Sequence, residues 1–115
     1  MNDHCIFCKI AVGQIPAQIL YQDEFVTAFQ DIHPVAPVHV LVIPNQHIES
    51  VDSARVEDEP LLGKLITSAG QIARNLKIDT SGYRLVINTG PDSGQSVYHL
   101  HVHILGGRRL SFQNQ

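Results

Sequence analysis

The feature that most constrains the fold is a stretch near the C-terminus in which histidine and apolar residues alternate, His99-Leu-His-Val-His-Ile-Leu105. Successive side chains of a β-strand point to opposite faces of its sheet, and same-face neighbours lie about 6.5–7 Å apart. The alternation therefore predicts a strand over residues 97–105. We expect its aliphatic side chains to face the core and the imidazoles of His99, His101 and His103 to face outward.

Weaker patterns predict the remaining elements. Runs rich in β-branched or apolar residues predict strands at 24–31, 38–43 and 83–88, with a further short strand within 15–22. Residues 57–77 carry an apolar stripe of helical period, with acidic residues at the start and basic residues near the end, which predicts one long helix. Strands that follow one another in sequence, together with a long helix, favour an α+β fold with an antiparallel sheet.

The composition is that of an ordinary globular protein and restricts its partners. The chain has 115 residues, 43% of them hydrophobic and 17% charged, and we expect a single domain over residues 1–115. The net charge of −3 argues against a nucleic-acid partner. No apolar run approaches the length of a membrane span, and the N-terminus lacks the regions of a secretory signal. We therefore expect a cytoplasmic protein with no membrane partner.

Three imidazoles on one face of a strand suit two kinds of chemistry. A neutral imidazole offers a nitrogen lone pair near pH 7, because its ordinary pKa is about 6.5, and it can attack an electrophile. A pair such as His101 and His103 can instead bind a metal ion. The turn at residues 90–96 leads into the strand, and backbone N–H groups of such a turn can bind an anion beside the polar side chains of Gln95 and Ser96. The pattern favours nucleophilic catalysis at a phosphate, with metal binding as the alternative.

The two cysteines, Cys5 and Cys8, form a C-x-x-C motif. In a reducing cytosol this spacing is typical of half a metal site or of a redox pair. No βαβ pattern surrounds the motif, so a thioredoxin-like role is disfavoured. A pair of free thiols is the remaining alternative.

Taken together, these motifs resemble those of the histidine triad family, and the match is close to its Hint branch. The resemblance covers residues 6–109 and rests on a set of motifs: Asp31-Ile32, His39-Val-Leu-Val-Ile-Pro44, Gly82-Tyr-Arg, Asn88, Gly94-Gln-Ser-Val-Tyr-His99 and Leu105-Gly-Gly-Arg108. It implies an antiparallel five-stranded sheet with one long and one short helix, and a homodimer in which two sheets join. It also implies hydrolysis of purine nucleoside 5′-phosphoramidates, which are conjugates of AMP or GMP with an amine.

The resemblance also implies catalytic roles. His101 would be the nucleophile and would form a nucleotidyl-histidine intermediate. His103 would contact the phosphate or ribose, Ser96 would lie near the leaving group, and His39 would sit behind His101 in the same network. No cofactor would be needed for this catalysis.

A larger set of residues would bind the nucleotide, again by resemblance. Phosphate and ribose contacts are assigned to Asp31, Ile32, Asn88, Gly94, Gln95, Ser96, Val97, His101 and His103. The base would be enclosed by Ile6, Phe7, Ile10 and Phe29. Core packing is the alternative for the last three of these side chains, and a turn cap is the alternative for Asp31.

Resemblance further implies a structural zinc site. Tetrahedral zinc takes four nitrogen or sulfur ligands, and the expected set is Cys5, Cys8, His47 and His99. Four protein ligands leave no open position, so the zinc would not take part in catalysis. His4 and His33 are expected to be bystanders.

Two other functions remain open at this point. One is hydrolysis of dinucleoside polyphosphates, as in the Fhit branch. The other is a nucleotide-binding regulatory module whose output is a protein contact.

Overall fold

The computed structural model describes residues 4–111 and contains one antiparallel sheet of five strands. The strands are β1 (Ile19–Gln22), β2 (Val26–Gln30), β3 (Val38–Pro44), β4 (Tyr83–Val86) and β5 (Val102–Gly106). Their order across the sheet is β1-β2-β3-β5-β4, and every neighbouring pair is antiparallel. The predicted α+β fold with an antiparallel sheet is confirmed. The ends of the predicted domain, residues 1–3 and 112–115, lie outside the described residues.

In the described part of the chain two helices accompany the sheet, a short α1 (Ile6–Ala11) and a long α2 (Glu59–Asn75). Pro60 lies in the first turn of α2, where its missing N–H has no helical partner to lose. Beyond the other end, Lys77 adopts the left-handed region with φ 62°. The helix is therefore two residues shorter at each end than predicted. Short 3₁₀ turns form at Val51–Ser53, Val56–Asp58 and Pro91–Ser93.

Alternation in β3 and β5 separates two apolar clusters, one on each face of the sheet. On the first face α2 packs against a cluster that includes Val40, Val42, Leu100, Val102 and Ile104. On the second face α1 packs against Phe29, Leu41 and Ile43. In the ladder Val40 pairs with Ile104 and Leu41 with His103. The histidine row therefore shares the second face with α1.

The predicted last strand is wrong in its length and in the exposure of its histidines. β5 begins at Val102 rather than at residue 97. The aliphatic face is buried as expected, with Leu100 1% and Ile104 0% exposed, but His99 is also fully buried and His101 is only 7% exposed. His99 and His101 do not face outward, because α1 and its cluster cover this part of the second face of the sheet, whereas His103 is only half-buried. The strands predicted at 24–31 and 83–88 are likewise shorter than expected.

Within residues 4–111, no helix combines the length and the apolar character that crossing a membrane requires.

Candidate active site and metal centre

His101 lies directly before β5, and its hydrogen bond fixes which ring nitrogen carries the proton. Nδ1 lies 2.7 Å from the carbonyl oxygen of His99. A carbonyl oxygen only accepts, so Nδ1–H donates and Nε2 keeps its lone pair. Nε2 has no hydrogen-bond partner within residues 4–111. Every fully buried side-chain nitrogen or oxygen in these residues does have a partner. Nε2 is therefore not fully buried and is accessible to solvent. Burial lowers the pKa of His101, which keeps this ring neutral with its lone pair available.

A second pair of imidazoles has its protons fixed in the same way. The backbone N–H of Val35 donates to Nδ1 of His39 at 3.1 Å. The neutral His39 ring therefore carries its proton on Nε2, which lies 2.9 Å from Nδ1 of His103 and donates to it. His103 then holds its own proton on Nε2. Burial lowers the pKa of both rings, that of His103 to about 4.

This arrangement differs from the position expected for His39. The resemblance predicted that His39 lies behind His101, whereas the structure places its ring against His103, with ring centroids 5.2 Å apart. A backbone carbonyl, that of His99, occupies the position behind His101. His39 can therefore act on the tautomer of His103 and not directly on that of His101.

Asp31 has one oxygen in a turn and the other near the imidazoles. Oδ1 accepts the backbone N–H of His33 at 2.7 Å, so the turn-cap interpretation holds for this oxygen. Oδ2 lies 3.4 Å from Nε2 of His39.

Ile32, expected beside the nucleotide, is 83% exposed. Asn88 lies after β4, and its Nδ2 donates to the carbonyl of Ser93 at 3.0 Å.

Gln95 holds the turn in place rather than presenting its amide to a ligand. Its buried Oε1 accepts the N–H of Gly90 at 2.8 Å. Its Nε2 donates to the carbonyls of Glu49 and Val97 at 2.9 and 3.1 Å. Gly94 is left-handed, with φ 88°, a conformation that favours glycine.

Free donors follow directly after this turn. The backbone N–H groups of Ser96, Val97 and Tyr98 form no hydrogen bond with any residue in the described part of the chain. The side chain of Ser96 is exposed and points to no protein partner there. Consecutive free N–H groups beside a hydroxyl are suited to an anion.

The expected base-enclosing side chains are mostly core residues here. Phe7, Ile10 and Phe29 are 7%, 8% and 3% exposed and belong to the cluster under α1. Ile6 is 45% exposed. The ring of Phe7 contacts that of His101 edge to face, with centroids 5.1 Å apart and planes at 89°. The core-packing alternative therefore describes these three side chains, and Phe7 also touches the candidate nucleophile.

Two cavities open beside these groups. One of about 500 Å³ is lined by His39, His103 and Asn88 together with Arg84 and Arg108. Another of about 330 Å³ is lined by Ser96, Val97 and Tyr98 on one side and by Cys5 and His47 on the other. His39, His103 and Asn88 thus line the larger of these two cavities and Ser96 and Val97 the smaller, whereas His101 lines neither of the two.

Cys5, Cys8, His47 and His99 come together as a group that we call the metal centre. One donor atom of each lies within 4.8 Å of all the others. Nδ1 of His99 lies 3.2 Å from Cys5 Sγ and 3.2 Å from His47 Nδ1, and Cys8 Sγ lies 3.4 Å from His47 Nδ1. Zinc bonds of about 2.05 Å to nitrogen and 2.3 Å to sulfur give tetrahedral edges of about 3.3–3.8 Å. The four residues therefore fit a tetrahedral ion.

The ring of His99 is also oriented for metal binding. Its Nε2 lies 2.7 Å from the carbonyl oxygen of Pro44 and donates to it, so Nδ1 presents a lone pair to the centre. A ligand histidine commonly donates its other N–H to a carbonyl in this way. Burial also lowers the pKa of His99 to about 4, which keeps the ring neutral.

A second group, Asp31, His39 and His103, also brings three potential ligands together. Here the hydrogen bond from Val35 occupies Nδ1 of His39, so its Nε2 carries a proton where a metal would need a lone pair. The backbone therefore favours a metal at the first group and a hydrogen-bond chain at the second.

Comparison with known proteins gives the family. The HIT domain model matches residues 12–110. The chain belongs to the HIT domain family. The purine nucleoside phosphoramidase of Escherichia coli (strain K12) is 50% identical over 110 residues, which are 96% of this chain and 92% of the relative. Protein HitA of Neisseria gonorrhoeae is 48% identical over 104 residues, which are 90% of this chain and 96% of the relative.

Solved structures support the same assignment of the HIT fold. A histidine triad protein from Clostridium difficile is similar to this chain with a TM-score of 0.96 and 39% identity, covering 99% of each chain. The recognised resemblance to the histidine triad family is therefore confirmed.

Sequence reasoning missed several groups that shape the site of this HIT protein. Arg84 and Arg108 line the cavity that contains His103, and each carried a signal only as the last residue of a family motif. The groups that set the ring protons are main-chain atoms of Val35, Pro44 and His99. A backbone N–H or carbonyl has no signature in the sequence, so no pattern could have identified them.

Proposed function

We propose that this HIT protein hydrolyses the P–N bond of purine nucleoside 5′-phosphoramidates through a covalent intermediate on His101. The observation that carries the proposal is the His101 ring, whose Nδ1–H is held by a carbonyl at 2.7 Å and whose Nε2 lone pair is open. The 50% identity with the Escherichia coli protein named purine nucleoside phosphoramidase supports this choice of substrate. One HIT domain, taken as residues 1–115, would carry the whole activity.

In the first step Nε2 of His101 attacks the phosphorus, and the P–N bond to the amine breaks. The amine leaves with the bonding electron pair and takes up a proton, because an unprotonated amine is a poor leaving group. Ser96, exposed after the turn, is the proposed relay that passes this proton from solvent to the amine. His103 donates its Nε2–H to a phosphoryl oxygen, while His39 holds the His103 ring in the tautomer that allows this.

In the second step a water molecule attacks the phosphorus of the nucleotidyl-histidine and loses a proton to solvent. The bond between phosphorus and Nε2 breaks, and its electron pair returns to the imidazole. The net reaction consumes one water and gives a nucleoside monophosphate and a protonated amine. The free N–H groups of Ser96 and Val97 stabilise charge on the phosphoryl oxygens in both steps, and Asp31 and Asn88 contact the ribose.

We further propose that the metal centre holds zinc and that its role is structural. All four positions of a tetrahedral ion would be filled by protein atoms, so the ion offers no site for substrate. When bound, zinc supplies a crosslink between the N-terminal segment and the sheet. Catalysis does not need the ion.

The assembly we propose is a cytoplasmic homodimer that pairs through β4. Like β1, this strand is at an edge of the sheet, and an unpaired strand edge can accept a second strand. Two copies joined at β4 would form one continuous sheet. Light scattering after size exclusion should give twice the mass of the chain.

The test of the reaction uses an AMP–amine conjugate with the wild type and with the variant His101→Ala. We expect the wild type to release AMP and His101→Ala to bind AMP while losing at least about 10³-fold in turnover, as for other nucleophile removals. Mass spectrometry of quenched wild type should detect AMP attached to His101. A diadenosine polyphosphate assayed in parallel separates the phosphoramidase from a polyphosphate hydrolase.

His33→Ala is the matched control, because the His33 side chain is exposed and belongs to neither proposed group. We expect it to retain wild-type turnover. Turnover that survives in His101→Ala would exclude the nucleophile role. A protein that binds AMP but releases none from any conjugate would instead be a binding module.

A further inference from the structure

We propose that the metal centre and the nucleotide site at His101 are thermodynamically coupled, with Phe7 as the positioning residue that couples them. The inference rests on the proposed function, because it takes His101 to be the residue that meets the nucleotide phosphate. It adds a role for Phe7 that differs from enclosing the base.

Phe7 lies between the two cysteines of the metal centre in sequence and touches both sites in space. Its ring centroid lies 5.1 Å from that of His101 and 6.0 Å from that of His99, both in edge-to-face arrangements. The side chain is only 7% exposed. Edge-to-face contacts restrict ring orientation, so the position of Phe7 limits how the His101 ring can tilt.

The position of Phe7 depends in turn on the docking of α1, which has six residues. Helices this short do not persist in water without tertiary contacts. Cys5 caps α1 by accepting the N–H of Cys8 on its sulfur at 3.3 Å. A metal ion that holds both sulfurs against His99 therefore fixes the segment from which Phe7 projects.

A second connection runs through the main chain of His99. Its side chain supplies Nδ1 to the metal centre, 3.2 Å from Cys5 Sγ. Its carbonyl oxygen accepts the Nδ1–H of His101 at 2.7 Å. An ion that fixes the His99 ring also fixes the peptide group that sets the proton position on His101.

Coupling between two sites is reciprocal, so zinc should tighten the binding of AMP by the same factor by which AMP tightens the binding of zinc. We expect a factor of about 10, within the range usual for coupled sites. If the ion only stabilised the fold, zinc would not change the AMP affinity of folded protein, and AMP would not change its zinc affinity.

The experiment measures AMP affinity by calorimetry in zinc-loaded protein and in protein stripped with a chelator, with circular dichroism to follow folding. Zinc affinity is then measured with and without saturating AMP. Equal factors of about 10 in both directions support coupling. Equal AMP affinity with and without zinc overturns it. Zinc-loaded wild type that does not bind AMP at all overturns the proposed function as well.

The variant Phe7→Leu tests the positioning role in zinc-loaded protein, where folding does not depend on metal removal. We expect zinc affinity in the absence of AMP to stay near that of the wild type. AMP affinity and the coupling factor should each fall at least about threefold. The reason is that the contact between Phe7 and His101 is lost and only the connection through His99 remains. The ¹⁵N signals of His101 should also shift from one tautomer towards a mixture. Phe25→Leu is the control, because Phe25 is 52% exposed, and it should behave as wild type. Wild-type AMP affinity and wild-type His101 signals in Phe7→Leu would overturn the role of Phe7.

Discussion

Protonation of His103 should make the protein less stable in mild acid by an amount that one substitution can isolate. The folded pKa of His103 is about 4, against an ordinary value of 6.5, mainly because burial disfavours the charged ring. Protonating Nδ1 would also remove the acceptor of the 2.9 Å hydrogen bond from His39. As the pH falls, the ring therefore takes up its proton in the unfolded chain before it does so in the folded protein. Its contribution to the free energy of unfolding is complete above pH 6.5 and is lost as the pH falls towards 4.

The magnitude follows from these two pKa values. A group that titrates at 6.5 unfolded and at about 4 folded lowers the free energy of unfolding by about 2 kcal/mol between pH 8 and pH 5. The ring is partly exposed, so solvent screening reduces the expected difference to about 1 kcal/mol.

The assay compares urea unfolding of wild type and His103→Gln at pH 8 and pH 5 at constant ionic strength. Glutamine does not titrate, so the variant should lose about 1 kcal/mol less than wild type over this interval. The metal centre is the same in both proteins, and its own pH dependence cancels in the comparison. His33→Gln should follow wild type, because that side chain is exposed. Identical pH dependence in wild type and His103→Gln would refute the reasoning.

Three further predictions concern stability measured by urea unfolding. Gly107→Ala should destabilise the protein by about 2–4 kcal/mol, because φ is +92° and an added Cβ would lie 2.8 Å from Cβ of Pro37; a loss below about 0.5 kcal/mol would contradict this. Gly63→Ala should instead stabilise α2 by about 0.5–1 kcal/mol, since its Cβ would meet no atom within 4 Å, and destabilisation would count against it. Thr27→Val should cost about 1–2 kcal/mol, because the fully buried hydroxyl donates to Asn45 at 2.6 Å, whereas a neutral effect would show that this hydrogen bond adds little.

The fold was predictable where side-chain periodicity carries it. Alternation identified Leu100 and Ile104 as core residues, and the apolar stripe identified α2 to within two residues at each end. The start of β5 was not predictable, because the backbone N–H of Leu100 bonds to the carbonyl of Ile48 at 2.7 Å instead of joining the sheet ladder. That contact depends on a distant segment and leaves the alternation of side chains unchanged.

The site was predictable in its residue types and less so in its geometry. The burial of His99 and His101 results from α1, whose six residues are too few to show a helical period. Cys5 and His99 are separated by 94 positions yet lie 3.2 Å apart, a distance that only the complete fold sets. The position of His39 behind His103 depends on the register that pairs Leu41 with His103, which the sequence alone does not specify.

Peptide groups position the protons of three imidazoles, those of His39, His99 and His101, through the N–H of Val35 and the carbonyls of Pro44 and His99. Apart from proline at residue 35, which would remove the N–H, substitution of a side chain at any of these three places would leave the peptide group itself in place. Related sequences could therefore diverge at residues 35 and 44 without changing the protonation pattern of the row. Conversely, transplanting the three histidines onto another sheet would not transfer the chemistry, because the path of the surrounding chain would have to be transplanted with them.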